Sequence, residues 1–332
     1  MERPKYRTTL FANTGAERCG VYQFGKNMYT SLTVRHGVRM NSLPHVMYHQ
    51  GFNNVGDFLN EVANPSHKYD VVVVNWHTAA MSWMTNDALR QVRESGKKVI
   101  LIPHDEIVAF DQVDAIMYID PSMDERTLAK GSYIIGRPLL PTPAISDRPY
   151  ISDVPVVGFA GFAFDHKHIE RIVDIIKDEG PDFDCVVRLH LPPSDFGYNP
   201  SYIQSIKSHF VQNLPGKPVI LTQKFLTPLE FLKFLWTNDI NIFPYEDKRV
   251  VNRGISSITD MAIAAMRPFM ISESNMFRHF APEDREKMTI GKVKISQMLT
   301  PGYNDFIAKY WHRWSPSENK LIFDKIIRET CV

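Results

Sequence analysis

The stretch from Asn252 to Ser272, NRGISSITDMAIAAMRPFMIS, holds the residue types that an anion site uses. Gly254 lets another group approach the backbone closely, and Ser256 or Ser257 can cap the helix that follows. The open N–H groups and positive dipole end of such a turn, here Gly254, Ile255, Ser256 and Ser257, suit a phosphate. The same residues also describe an ordinary capped core helix. Ile258, Met261, Ala262 and Ala265 fall at i, i+3, i+4 and i+7 and form one apolar face. A second point is Lys167, which opens the helical pattern KHIERIVDIIKDEG, where the helix dipole disfavours a cation. Other chemistries lack their residues. No GxGxxG follows the first predicted strand, and neither a P-loop nor a GxSxG elbow occurs. His166 and His168 are two apart on a predicted helix, so their rings diverge and no metal site is expected.

The elements that must position these residues alternate. TTLFANT, YDVVVVNW, KKVILIPHDE and VDAIMYID are short apolar runs of the kind expected in strands buried on both faces. Between and before them lie helical patterns, VYQFGKNMYTSLTVR, VGDFLNEVAN and TNDALRQVRESG, the last with Gly96 placed to stop it. The proline-rich segment GRPLLPTPAISDRPYISDVP breaks the alternation and reads as a linker. The pattern then restarts with VPVVGFAGF, DCVVRLHL, KPVILTQKFL and DINIFPY, interleaved with helices, and closes on the amphipathic ENKLIFDKIIRETC. Such alternation predicts an α/β chain with two parallel sheets. The expected divisions are an N-terminal Rossmann-like domain over 1–140, a linker over 141–153, a C-terminal domain over 154–300 and a helical tail over 301–332. That tail is expected to pack back across the domains. Ligands in open parallel sheets bind outside the carboxyl ends of the strands, so the loops there are the candidate site.

The bulk numbers bound the function classes. With 332 residues, 44% apolar and 23% charged, the chain is globular and long enough for two domains. Lys+Arg (38) nearly balances Asp+Glu (37), which removes any whole-chain electrostatic footprint for nucleic acid or an anionic membrane. Three scattered cysteines without CxxC read as reduced thiols. No apolar run reaches the ~18 residues of a membrane span, and no signal peptide is visible. The expectation is a cytoplasmic protein without an integral membrane segment.

Several stretches, taken in order, resemble the GT-B glycosyltransferases, particularly the family 4-like enzymes (glycosyl transferases group 1). NTGAERCGVYQF is similar to their N-terminal glycine loop, and KVILIPHD to a strand ending in histidine. VVGFAGFAFDHKHIERIVDII is similar to the start of the donor domain. FPYEDKRVVNRGISSITDMAIAAMRPFMIS resembles the glutamate loop, serine-rich turn, helix and strand that cradle a nucleotide diphosphate sugar. The resemblance implies two facing, doubly wound Rossmann-like domains and transfer of a sugar from a UDP or GDP sugar to an acceptor hydroxyl. It further implies retention of configuration, with neither a metal nor a separate cofactor. Carried over residue by residue, it puts Gly15, Gly20 and Gly161 near the phosphates. Lys167, Arg253 and the turn Gly254–Ile255–Ser256–Ser257 then hold the diphosphate. Glu246 and His104 orient the sugar, and Asp105 serves as general base if the enzyme inverts.

The departures are specific. Phe162 stands where many members carry an arginine, which leaves Lys167 as the main cation and Arg253 as a substitute second one. Met261 stands where a ribose-binding glutamate is usual, and Met266 where a glycine ends the helix. A left-handed backbone at Met266 would cost about 1 kcal/mol. These departures keep open a catalytically inactive nucleotide-sugar-binding module and a GT-B epimerase. The acceptor is open among a saccharide, a lipid-linked sugar, a protein and a hydroxymethylated DNA base, the last without support from the near-neutral charge.

Overall fold

A computed structural model describes residues 7–33, 45–104, 110–140, 153–247, 254–300 and 303–331. The chain divides into two compact units, Met1–Pro141 with Trp314–Val332, and Thr142–Arg313. In chain order the first unit contains β1 (Arg7–Thr14), α1 (Gly20–Thr33), β2 (His45–Phe52), α2 (Val55–Ala63), β3 (Val71–Trp76), α3 (Asn86–Glu94), β4 (Lys98–Pro103), β5 (Ala115–Tyr118) and β6 (Ser132–Ile134). The second contains β7 (Val156–Ala160), α4 (Arg171–Lys177), β8 (Val186–His190), α5 (Pro200–Asn213), β9 (Val219–Thr222), α6 (Pro228–Trp236), β10 (Ile240–Phe243), α7 (Ile258–Ala264), β11 (Phe269–Ile271), α8 (Pro282–Arg285), α9 (Ile295–Met298) and α10 (Tyr303–Arg313). The last helix, α11 (Pro316–Thr330), returns to the first unit. This is the α/β two-domain architecture that the alternation predicts.

Each unit is a parallel sheet with one reversal of strand order. The first sheet runs β2-β1-β3-β4-β5-β6 and the second β11-β10-β7-β8-β9. The order turns back between β1 and β3 in the first, and between β7 and β10 in the second. At these switch points neighbouring loops leave in opposite directions, which opens a crevice at the strand ends.

Local chemistry explains the elements. Val71–Val74 of β3 are fully buried, as a strand covered on both faces requires. Gly96, at φ +81°, ends α3 in the left-handed conformation that glycine adopts without strain. Helix α6 starts with a capping box in which Thr227 accepts from the Glu230 N–H at 3.3 Å while Glu230 accepts from the Thr227 N–H at 2.8 Å. The tail splits between the units. Phe323, Ile326 and Ile327 of α11 join Phe24, Met28 and Leu32 of α1 in one core cluster. Asn319 fastens α11 by donating to the Arg137 carbonyl at 2.9 Å, beside Gly136, where a Cβ would stand 2.6 Å from Asn319 Oδ1. Among the described residues no helix is long and apolar enough to cross a membrane.

Candidate active site

At the switch point of the second sheet, β7 is followed by Gly161, whose N–H donates to the His190 carbonyl at 3.0 Å and whose φ is +142°. The missing side chain is used. A Cβ there would stand 2.7 Å from Lys167 Nζ, so the ammonium rests in the space that only glycine leaves. That ammonium also lies 5.1 Å from the Tyr245 ring centre and about as near Phe162 (6.0 Å) and Phe164 (5.9 Å). Aromatic faces steady a cation without neutralising it. Lys167 does not open a helix, however. It ends a short 3-10 turn, Asp165–Lys167, after which His168 takes a left-handed φ of 43°, and α4 begins only at Arg171. The dipole objection to a cation at this position therefore falls away.

Glu246 follows β10 across the same switch point. Its N–H donates to the His166 carbonyl at 2.9 Å, which ties the two loops together. Its side chain is only 17% exposed. Arg171 Nη1 donates to Oε1 at 3.1 Å, and His168 Nε2 stands 3.4 Å from Oε2. Glu246 lines two cavities. One, of about 780 Å³, also meets Phe164, His166, His168 and Tyr202. The other, of about 510 Å³, meets Arg171, Tyr245, Asp247 and Ser274. Next in the chain, Asp247 accepts from Ser274 Oγ and the Asn275 N–H, both at 2.6 Å, and so braces the loop after β10 against the loop after β11.

The serine turn is partly as expected. Ser256 is buried, its N–H donates to the Met276 carbonyl at 3.0 Å, and it lies against the Tyr245 phenol, whose pKa burial pushes up. Ser257 precedes α7 but makes no side-chain cap bond. Gly254 and Ile255 lead into this turn. Every residue of α7 is buried, including polar Thr259 and Asp260, so its covered surface is wider than the single apolar face that periodicity indicates. Met261 is part of that core, and Met266 has the left-handed backbone, φ 52°, that favours glycine. Arg253 lies outside the described residues.

The switch point of the first sheet is built differently. Gly15 follows β1, and a Cβ on it would overlap the Asn53 side chain, while Gly20 at the start of α1 has open space around it. Buried Asn13 and Asn75, at the ends of β1 and β3, are linked by a 2.9 Å bond from Asn75 Nδ2 to Asn13 Oδ1. They donate to the Tyr22 and Val21 carbonyls at 2.9 and 3.0 Å and so anchor the first turn of α1. Gly25 makes room for them, since a Cβ there would meet both amide nitrogens at 2.6 Å. His104, directly after β4, places Nε2 2.8 Å from Asn75 Oδ1, with Phe24 edge-on at 4.7 Å. Burial, with His77 and Arg137 adding positive charge nearby, holds its pKa well below the usual histidine range. Trp76 is core, edge-on to Phe110 at 4.8 Å. Asp105 lies outside the described residues.

The structure thus brings Gly161, Lys167, Glu246 and Ser256 together in the second unit, and His104 and Gly15 near one switch point in the first. It adds Arg171, His168 and Tyr245, which sequence reasoning missed, and the pair Asn13 and Asn75. Asparagine at the end of an otherwise apolar strand was the available signal for that pair.

Two Rossmann-type units with polar switch points define a class, and comparison with solved structures gives the fold: it is that of the GT-B glycosyltransferases. Anabaena Alr3699/HepE, solved with UDP and glucose, superposes with a TM-score of 0.65 at 11% identity, covering 97% of this chain and 100% of that one. An alpha-glucosyltransferase solved with UDP-glucose and DNA containing an abasic site gives 0.58 at 11%, covering 98% and 99%. The lipopolysaccharide outer core galactosyltransferase WaaB, apo form, gives 0.58 at 11%, covering 97% and 99%. No protein-family model and no curated protein sequence matches the chain.

Proposed function

We propose that this protein is a glycosyltransferase that moves a sugar from a nucleotide diphosphate sugar to an acceptor hydroxyl, with retention of configuration and without a metal. The observation that carries the reading is the ammonium of Lys167 seated over Gly161 and against Tyr245 at the switch point of the second sheet. A leaving diphosphate gains negative charge as the glycosidic bond breaks, and a fixed cation at that point lowers the barrier. Gly254, Ile255, Ser256 and Ser257 would add N–H donors, and Arg253 a second cation. Gly15 and Gly20 shape the loop on the first unit. Glu246 would accept sugar hydroxyls. Its pairing with the Arg171 guanidinium offsets a charge that would otherwise repel the diphosphate. His104 would orient the sugar and Asp105 remains the candidate base for an inverting route. UDP is the favoured nucleotide because the similar structures include complexes with UDP and UDP-glucose. The domain limits of the reading, 1–140 and 154–300, leave the acceptor to the first. Saccharide, lipid-linked sugar, protein and modified DNA base are its candidate classes. Cys19, Cys185 and Cys331 form no disulfide among the described residues, which supports a cytoplasmic setting.

The test is a panel of nucleotide sugars with and without acceptor pools, followed by nucleotide release and sugar identity. Release that depends on acceptor is the expected result. An altered sugar still attached to its nucleotide would mean an epimerase. Binding with neither outcome would mean an inactive module.

A further inference from the structure

The amides at the first switch point have no freedom of orientation. Asn13 Oδ1 accepts from the Thr14 N–H at 2.9 Å and its Nδ2 donates to the Tyr22 carbonyl at 2.9 Å. Both partners are backbone groups whose roles cannot change. Asn75 is fixed in the same way, because its Nδ2 faces the Val21 carbonyl at 3.0 Å and Asn13 Oδ1 at 2.9 Å. Reversing either amide would set oxygen against oxygen at the cost of a buried unpaired group. The outer ends of the network then follow. Asn75 Oδ1 can only accept, so His104 Nε2, 2.8 Å away, carries a hydrogen. Asn13 Nδ2 has a second hydrogen directed at His49 Nε2, 3.1 Å away, so that nitrogen carries none.

We propose that Asn75, itself held by Asn13, is a positioning residue that fixes His104 as the neutral Nε2–H tautomer, so that Nδ1 is presented as a hydrogen-bond acceptor. This rests on the glycosyltransferase reading for its ligand. A neutral ring with a bare Nδ1 receives a group that donates, such as a sugar hydroxyl, and offers nothing to a fully ionised phosphate. A second proton on the ring is opposed from two sides. Buried Arg137 packs on the Phe24 ring at 4.9 Å, the same ring that meets His104 edge-on, and His77 lies nearby. On that reading, His104 offers its acceptor to a donor-sugar hydroxyl.

The experiment uses the full chain labelled with nitrogen-15 histidine, with His104 assigned by its loss in His104→Gln. Expected at neutral pH is one neutral tautomer with hydrogen on Nε2. A hydrogen on Nδ1, or an even mixture of tautomers, overturns the proposal. Asn75→Leu removes the acceptor and is expected to shift the tautomer, whereas Asn75→Asp retains an acceptor and is expected to restore it. An unmoved tautomer in a folded Asn75→Leu protein also overturns it. If that variant does not fold, the wild-type tautomer decides. The functional arm measures turnover of deoxy analogues of the donor sugar. One analogue is expected to lose about tenfold or more in kcat/KM with the wild type, and less with Asn75→Leu, while UDP affinity stays unchanged. No discrimination by a wild type that does turn over the parent donor would overturn the hydroxyl assignment. Failure of the wild type to act on any nucleotide sugar would sink the glycosyltransferase reading instead, and the tautomer measurement would still stand or fall by itself.

Discussion

At the first switch point the polar groups are amides and imidazoles, whereas at the second they are formal charges. Asn13, Asn75, His49 and His104 are linked in a chain of side-chain hydrogen bonds that includes no carboxylate, ammonium or guanidinium. Lys167, Glu246 and Arg171 instead form a cluster of ammonium, carboxylate and guanidinium, with the His168 ring beside Glu246. The difference sets the kind of group each crevice suits. Hydroxyls are distinguished by directed neutral donors and acceptors, and a diphosphate by fixed positive charge. The same strand topology thus supplies two crevices, and the residues at the strand ends decide what each can hold.

The largest effect that bears on this contrast is expected from Lys167→Ala. Donor turnover should fall about 10²–10³-fold, the scale of losing one fixed donor to transition-state charge, with little change in the melting temperature. Wild-type-like hydrolysis of nucleotide sugar by this variant would remove charge stabilisation from the second switch point.

Acidification tests both units together. His190, buried between Thr222 and the rings of Phe231 and Phe234, has its pKa lowered to about 4 by burial. His49 and His104 are shifted in the same direction. Below pH 6.5 the unfolded chain binds protons that the folded chain does not, so stability falls as the solution is acidified. For His190 alone the loss between pH 7 and 5 is about 2 kcal/mol. Urea melts at the two pH values should show it, and His190→Gln should reduce the slope. A flat profile would contradict the neutral state of these rings.

The two loop glycines give a matched pair. Gly161→Ala combines a strained φ with a clash on the Lys167 ammonium, so it should cost about 2 kcal/mol and lower UDP affinity, measurable by calorimetry. Gly15→Ala has the Asn53 side chain as its nearest clash, one that can turn away, and should cost less than about 1 kcal/mol. Equal effects would mean that the glycine at the charged crevice has no special role. The smallest expected change lies beyond both crevices. Met266→Gly relieves a left-handed methionine and, after the added flexibility of the unfolded chain, should stabilise by about 0.5 kcal/mol in thermal melts.

Much of this was legible before any coordinates. Strands such as VVVVNW announce themselves because burial on both faces demands continuous apolar residues, and the ends of those strands are where the sheet topology puts a site. Glu246 and the left-handed turn at Met266 came from the resemblance to GT-B enzymes, and Lys167 from that resemblance together with its place at a predicted helix start. Lys167 was reached partly by an unsound step, since it does not open a helix. What stayed hidden was the set of partnerships between distant positions. Glu246 meets Arg171 across 75 positions, and Asn75 meets Asn13 across 62. Periodicity reports on neighbours within a turn or a strand and carries no information on such pairs.

The sequence by itself determined the two-sheet α/β class, the strand ends that carry polar residues and the presence of a lysine and a glutamate among them. Only the tertiary structure decided that Lys167 fills the void of Gly161, that Arg171 and His168 hold Glu246, and that α10 and α11 belong to different units. The physical reason is the same in each case. Burial pattern is written locally along the chain, whereas hydrogen bonds and ion pairs are fixed by which strand ends the sheet order makes neighbours.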